Sequence, residues 1–141
     1  HARYEIKLDN YSKVLHIEAQ TMLDMVWKDI LPAASAYTKE LAETVAAKKA
    51  IGSGIDTSYE EKLAGHVSVL LSSATKKSEA LEYALMGVKD ITDTLALARY
   101  YRDTIFAAMN ELRIIVDEME THCAAKYWPY PSYGDILFSV K

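Results

Sequence analysis

The sequence has few of the residues that interrupt helices. It contains five glycines and three prolines in 141 residues, and two of the prolines, Pro129 and Pro131, lie near its C-terminal end. Before them, the one clear break is the segment "IGSGID" at 51–56, which we interpret as a linker. Because Gly and Pro are the strongest local breakers of regular structure, this sparse distribution predicts a small number of long elements.

Basic residues are too few for a nucleic-acid surface. The formal net charge is −4, and the only basic doublets are Lys48-Lys49 and Lys76-Lys77. No extended cationic face is therefore available to a phosphate backbone. We expect no nucleic-acid partner.

Cysteine and long apolar runs are also scarce. The single Cys123 can form no internal disulfide, which is typical of a reducing compartment. No apolar run approaches the roughly 20 residues of a membrane span, and "HARYEIKLDNYSKVL" has no continuous apolar core of a signal peptide. We expect a cytoplasmic protein with no membrane partner. Because the chain starts inside a helical pattern, we also expect a fragment of a larger protein.

Apolar residues recur at steps of three and four along most of the chain, which is the spacing of one helix face. The pattern is most regular near the C-terminal end, at Leu95, Ala98, Ile105, Met109, Leu112, Val116, Met119 and Cys123. A first stripe runs through Tyr4, Leu8, Tyr11, Leu15, Met22 and Met25. The spacing predicts an all-α fold, an antiparallel bundle of three to four long helices with an extended tail. The predicted single domain, 1–141, has helices at about 3–31, 33–50, 58–88 and 92–125 and a tail at 126–141.

Two local signals determine the predicted helix boundaries. Pro32 either kinks the first helix or lies in the first turn of the next one, where its missing donor costs least. In "TSYE", Thr57 lies three residues before Glu60, which is the spacing of a capping box. A helix is therefore predicted to start at about residue 58.

Residues that carry chemistry are present without a recognisable pattern. His16, His66 and His122 are far apart in sequence, and each is interpreted as a surface or half-buried histidine. Glu118 and His122 lie one helical turn apart, but one such pair is a weak signal. Cys123 lies on the apolar stripe and is predicted to be a small buried hydrophobe. The sequence predicts no catalytic, cofactor-binding or metal-binding residue.

Two charged residues interrupt the apolar stripes. Arg102 lies within the stripe of the last helix, and Glu18 lies within that of the first. Burying a guanidinium without a partner is very costly. Two hypotheses follow: Glu18 and Arg102 form a buried ion pair, or each points to the edge of its stripe and meets water.

The last residues, "AKYWPYPSYGDILFSVK", are rich in aromatic residues and proline. The last helix is predicted to end at about Ala125 to Tyr127, because a residue before proline is displaced from helical geometry. The candidate interaction residues of the extended tail are Trp128, Tyr130, Tyr133, Ile136 and Phe138. The tail can fold back on the bundle, dock on a partner, or do both, with Trp128 and Tyr130 on the bundle.

Three stretches carry a resemblance to a known family: "YSKVLHIEAQTMLDMVWKDILPAASAY" at 11–37, "ARYYRDTIFAAMNELRIIVDEME" at 98–120 and "WPYPSYGDILF" at 128–138. Together they resemble the C-terminal region of type III glutamine synthetases, the large bacterial form of the enzyme. The resemblance implies an accessory helical domain of an ATP-dependent ligase that joins ammonia to glutamate in nitrogen assimilation.

The resemblance also implies which parts of the enzyme lie elsewhere. The family holds its divalent metals on the strands of a catalytic barrel shared between neighbouring subunits, and this sequence has no such strands. ATP and divalent metal are therefore expected outside this chain, which is not expected to be an enzyme by itself. The implied partners are its own catalytic domain and neighbouring subunits of a homo-oligomeric double ring. The alternative is an independent helical sensor or small-ligand-binding bundle, with an anion held by Arg99 and Arg102.

Overall fold

The computed structural model describes residues 2–131, and their regular structure is entirely helical. We name three long helices. Helix α1 comprises Ala2–Met25, Val26–Ile30 and Leu31–Ile51, α2 is Ser58–Met86, and α3 comprises Thr94–Tyr100, Tyr101–Ile105 and Phe106–His122. The short connections make α1 and α2 antiparallel, and α2 and α3 antiparallel. The predicted all-α bundle is confirmed.

Helix α1 continues through Pro32, although the sequence predicts two helices at 3–31 and 33–50. The segment Val26–Ile30 is a π-helical turn, and the Leu31 N–H donates to the Val26 carbonyl. Pro32 then lies in the first turn of the α-helical segment Leu31–Ile51. Because the hydrogen-bond register has already changed at the π turn, the missing donor of proline does not end the helix. This agrees with the alternative that places Pro32 in the first turn of a helical segment. No break separates this segment from the one before it, so α1 is about 75 Å long at the ordinary rise per residue.

The connection between α1 and α2 differs in its hydrogen bonds from the predicted capping box. Helix α2 does begin after Thr57, at Ser58. However, the Thr57 hydroxyl donates to Glu61 Oε2 at 2.9 Å, and the Glu60 carboxylate accepts from Lys48 of α1. The hydrogen bond from Lys48 lowers the pKa of the Glu60 carboxyl. Glu60 therefore links α2 to α1, and the first free amide of α2, that of Ser58, donates to the Asp56 carboxylate at 3.0 Å.

The connection between α2 and α3 is held by side chains from both helices. A 3-10 turn, Gly87–Asp90, follows α2, and the Asp93 carboxylate accepts a backbone N–H of the first turn of α3. The Tyr100 hydroxyl donates to the Ala84 carbonyl at 2.6 Å. A Cβ at Gly87 would lie 2.9 Å from that hydroxyl oxygen. Glycine at this position therefore allows the close contact of Tyr100 with the end of α2.

Helix α3 contributes more of the large, fully buried side chains than either of the other helices. Its side chains Ile105, Met109, Leu112 and Met119 are fully buried, together with Val26 of α1 and Val67 and Leu81 of α2. The predicted stripe of α3 is buried or half-buried along its whole length. Cys123 is also buried, and burial raises the pKa of its thiol. This agrees with the prediction of a small buried hydrophobe.

The predicted stripe of α1 is only partly buried. Leu15 is buried and Leu8 and Met22 are half-buried, but Tyr4 and Tyr11 are exposed. This part of α1 packs mainly against the first half of α3, because α2 runs beside the second half of α1. With fewer neighbouring helices, a narrower line of side chains is covered.

Candidate interaction surfaces

Large apolar side chains remain exposed along the first five turns of α1. Tyr4, Ile6, Tyr11, Val14 and Ile17 are 39–62% exposed. At 3.6 residues per turn these positions fall within one half of the helix circumference, next to the buried stripe. We call these five residues the N-terminal apolar face.

A groove continues from this face along α1. It has a volume of about 570 Å³ and lies between α1 and α3, where Ile17, Met25 and Ile30 of α1 meet Met109 and Val116 of α3. The π turn Val26–Ile30 forms part of its wall. The groove and the N-terminal apolar face share Ile17, so the groove begins where the face ends.

The last helix ends before the predicted boundary. We expected α3 to reach Ala125 to Tyr127, but it ends at His122, and Cys123 has extended backbone geometry. A single turn follows, in which the Tyr127 N–H donates to the Ala124 carbonyl at 2.9 Å. The proline rule fixes only the last residue that a helix can reach.

The segment after α3 returns to α1. The ring of Tyr127 packs against that of Tyr37 with the centroids 5.3 Å apart. Lys126 Nζ lies 3.0 Å from Glu40 Oε1, and the Tyr130 hydroxyl donates to Asp29 Oδ2 at 2.6 Å. These contacts fix the described part of the tail beside the second half of α1.

The candidate interaction residues divide into two groups. Trp128 and Tyr130 are half-buried and pack against the bundle, as the folded-back alternative predicts. Tyr133, Ile136 and Phe138 lie outside the described residues. A role of these five residues in contacts with a partner stays a prediction.

The Tyr130 contact leads to a test of the tail. Removing its hydroxyl in Tyr130→Phe is expected to lower the free energy of unfolding by about 1 kcal/mol, the usual net value of a hydrogen bond. Burial and the Asp29 carboxylate raise the pKa of Tyr130 from 10.0 to about 12. Because the folded chain holds this proton more tightly, the contribution is fully present below the ordinary tyrosine pKa and is lost as the pH rises toward about 12.

Urea unfolding at a series of alkaline pH values measures this difference. The matched control is Tyr83→Phe, since the Tyr83 side chain is 79% exposed. Removing its hydroxyl should leave the pH dependence of the free energy of unfolding unchanged. If Tyr130→Phe has the stability and the alkaline profile of the parent chain, the tail contact does not contribute as we expect.

Glu18 and Arg102 do not form the predicted buried ion pair. Both residues are exposed, and the Arg102 guanidinium donates to the neighbouring Asp103 at 2.8 and 3.1 Å. This interaction raises the pKa of Arg102 and lowers that of Asp103. Glu18 and Arg102 therefore both agree with the second hypothesis, in which each residue meets water at the edge of its stripe. Arg102 lies in a π-helical turn, Tyr101–Ile105. Because this turn changes the helical register, Arg102 points away from the apolar stripe of α3.

The two arginines of the alternative anion site line a small cleft. Arg99 and Arg102 lie with Tyr4, Tyr11 and Leu95 around a volume of about 300 Å³. Because Asp103 already neutralises the Arg102 guanidinium, this cleft gives no specific support to an anion-binding function.

The described histidines have two kinds of environment, and the sequence predicted only the first of them. His16 is half-buried and its Nδ1 lies 2.8 Å from the Tyr101 hydroxyl, as expected for a satisfied structural histidine. His66 and His122, in contrast, meet across α2 and α3, with ring centroids 4.3 Å apart. The Glu118 carboxylate lies beside them. The sequence shows Glu118 and His122 one helical turn apart. It does not show how α2 is positioned along α3, and this position is what brings His66 to the pair.

Among residues 2–131, no helix has both the length and the apolar composition that crossing a bilayer requires.

Comparison with known proteins identifies the relatives of this chain. Residues 1–49 match the family described as the glutamine synthetase C-terminal domain. The whole chain is 38% identical over 144 residues to a glutamine synthetase of Butyrivibrio fibrisolvens. It is also 32% identical to a type-3 glutamine synthetase of Dictyostelium discoideum, over an alignment of 141 positions that covers 97% of this chain.

The matched region is a small part of each relative. The chain spans 20% of the Butyrivibrio protein and 19% of the Dictyostelium protein. The residues 1–49 that match the C-terminal domain correspond to nearly all of α1, including the N-terminal apolar face. The chain is therefore homologous along its whole length to glutamine synthetases, including a type-3 enzyme, and its first helix corresponds to sequence of their C-terminal domain.

Proposed function

We propose that this chain is an accessory, non-catalytic helical domain of a type III glutamine synthetase and contributes to contacts between its domains or subunits. The parent enzyme would be an ATP-dependent glutamate-ammonia ligase of the cytoplasm. Homology along the whole chain supports the relation to the synthetase. The N-terminal apolar face supports the role in contacts.

The exposed face is the observation that carries the proposal. Ile6, Val14 and Ile17 are each more than half exposed, although covering such a side chain stabilises a protein by about 1.5–3 kcal/mol. Large exposed apolar surfaces with a polar rim are typical of interaction sites. Here the charged side chains Arg3 and Lys7 lie on the same side of α1, between the apolar residues of the face.

We assign the occupant of this face to the rest of the synthetase. About four fifths of the length of the relatives lies outside the region that matches this chain. The face also lies within residues 1–49, which match the C-terminal domain family. A surface built into that domain is in a position to contact the remaining chain or a neighbouring subunit.

The non-catalytic part of the proposal concerns the chemistry of the parent enzyme. ATP and divalent metal would bind in the remainder of the synthetase, and the helices described here would support that remainder. Glutamine formation from glutamate, ammonia and ATP by the isolated chain would contradict this assignment.

Substitution of the face in the full-length synthetase tests the proposal. Ile17→Glu would place a carboxylate in a contact that offers it no partner, which costs about 3 kcal/mol or more. We therefore expect the contact to weaken by about a hundredfold. Sedimentation of serially diluted enzyme reports the size of the assembly and so measures loss of contacts between subunits. Calorimetry reports the melting temperature, which falls if contacts within one chain are lost.

Gln20→Glu is the matched control, since Gln20 is exposed on the same helix but outside the N-terminal apolar face. It adds the same charge and should change neither measurement. If Ile17→Glu behaves like Gln20→Glu in both measurements, the face is not a contact surface and the proposed role is wrong.

A further inference from the structure

One cluster of potential metal ligands lies apart from the surfaces described above. His66 of α2 and Glu118 and His122 of α3 place their ligand atoms within 4.8 Å of one another. His66 Nε2 lies 3.5 Å from Glu118 Oε1, and the two imidazole rings stand at 80° to each other. We propose that these three residues bind a transition-metal ion of the zinc type.

The backbone on both sides of the cluster is well anchored. Each of the three residues precedes a buried neighbour in the sequence: Val67 follows His66, Met119 follows Glu118, and Cys123 follows His122. Val67 and Met119 are fully buried in the core between the helices. The positions of the three side chains relative to one another are therefore set by packing of α2 on α3, so the site is largely preorganised before a metal binds.

The spacing within the cluster is close to that of a coordination site. Ligand atoms around a tetrahedral zinc ion, each about 2.1 Å from the metal, are about 3.4 Å apart. The side chains of His66 and Glu118 are 43% and 49% exposed, so small rotations can bring the three atoms to this separation. The same exposure gives an ion access to the site and leaves room for water as a fourth ligand.

The ligand set determines the class of metal. Two imidazole nitrogens and one carboxylate oxygen suit zinc, and they also suit cobalt, nickel and copper. Mg²⁺ and Ca²⁺ are disfavoured, because they require oxygen ligands. A bound ion would join α2 to α3 directly, at the end of the bundle from which the tail departs, and would stabilise that end.

Calorimetric titration of the 141-residue chain with Zn²⁺ in neutral buffer tests the proposal. We expect one ion per chain. His66→Ala and His122→Ala should each weaken binding by at least about 10- to 100-fold, since even residues that only orient a ligand change metal affinity by that factor. Glu118→Gln, which keeps the shape of the side chain, should also weaken binding, because a neutral amide is a poorer ligand for the ion.

Glu120→Gln is the matched control, because Glu120 is an exposed carboxylate of the same helix outside the cluster. It should bind Zn²⁺ like the parent chain. Two results would overturn the proposal: no measurable binding of Zn²⁺ by the parent chain, or unchanged binding by the double variant His66→Ala/His122→Ala. Since His66 and Glu118 are exposed and His122 is only half-buried, circular dichroism is expected to show that every variant is folded. If a histidine variant does not fold, Glu118→Gln still tests the proposal.

Discussion

Replacing Leu112 by alanine is expected to lower the melting temperature of the chain by roughly 10 °C. The Leu112 side chain has no exposed surface and lies in the middle of α3, where it packs in the core formed by all three helices. Removing its three outer carbons loses their transfer free energy and leaves a cavity, which together cost about 2–5 kcal/mol. For a chain of this size, each kcal/mol corresponds to about 2–8 °C of melting temperature.

Ile114→Ala is the matched control for this prediction. Ile114 lies two residues away on the same helix and is 68% exposed, so its truncation removes a similar side chain without opening a cavity. We expect a change within about 0.5 kcal/mol. Thermal unfolding followed by circular dichroism measures both variants, and equal melting temperatures would show that α3 does not pack as described.

The contrast between these two positions was predictable from sequence. The stripe of α3 runs in steps of three and four, and Leu112 belongs to it while Ile114 does not. Because α3 has neighbouring helices along its whole length, the side of the helix that carries the stripe is the side that is covered. Spacing therefore identifies most of the buried residues of this helix, although Tyr101, which is 3% exposed, lies outside the stripe.

The same reasoning fails for the first half of α1. Tyr4 and Tyr11 belong to a regular stripe, but they are 56% and 39% exposed. Spacing gives the direction in which a side chain points and does not give the length over which a neighbouring helix is present. The same limit applies at Arg102, since the π turn that redirects it changes the helical register without a glycine or proline to mark it.

Contacts between helices were the least predictable features. The sequence placed Thr57 and Glu60 in one capping box, but Glu60 bonds to Lys48 of α1. It likewise separated His66 from His122 by more than fifty residues, and packing brings their rings together. Both contacts depend on how far one helix is shifted along its neighbour. Packing of all the core side chains together determines this shift.

Hydroxyl-radical footprinting measures whether the N-terminal apolar face is covered by the rest of the synthetase, as we propose. The method oxidises exposed side chains, and mass spectrometry reports the extent of oxidation for each residue. The 141-residue chain and the full-length synthetase would be treated at an equal radical dose. The five residues of the face should be readily oxidised in the isolated chain, because Tyr4, Ile6 and Ile17, for example, are 56%, 60% and 62% exposed.

In the full-length synthetase, we expect oxidation of these residues to fall to a small fraction of that value, because burial excludes the radical together with water. Leu112 should stay unmodified in both samples, since it is fully buried within the bundle itself. We expect this loss of reactivity at every residue of the face, from Tyr4 to Ile17. Equal oxidation of the face in the isolated chain and in the full-length enzyme would contradict it.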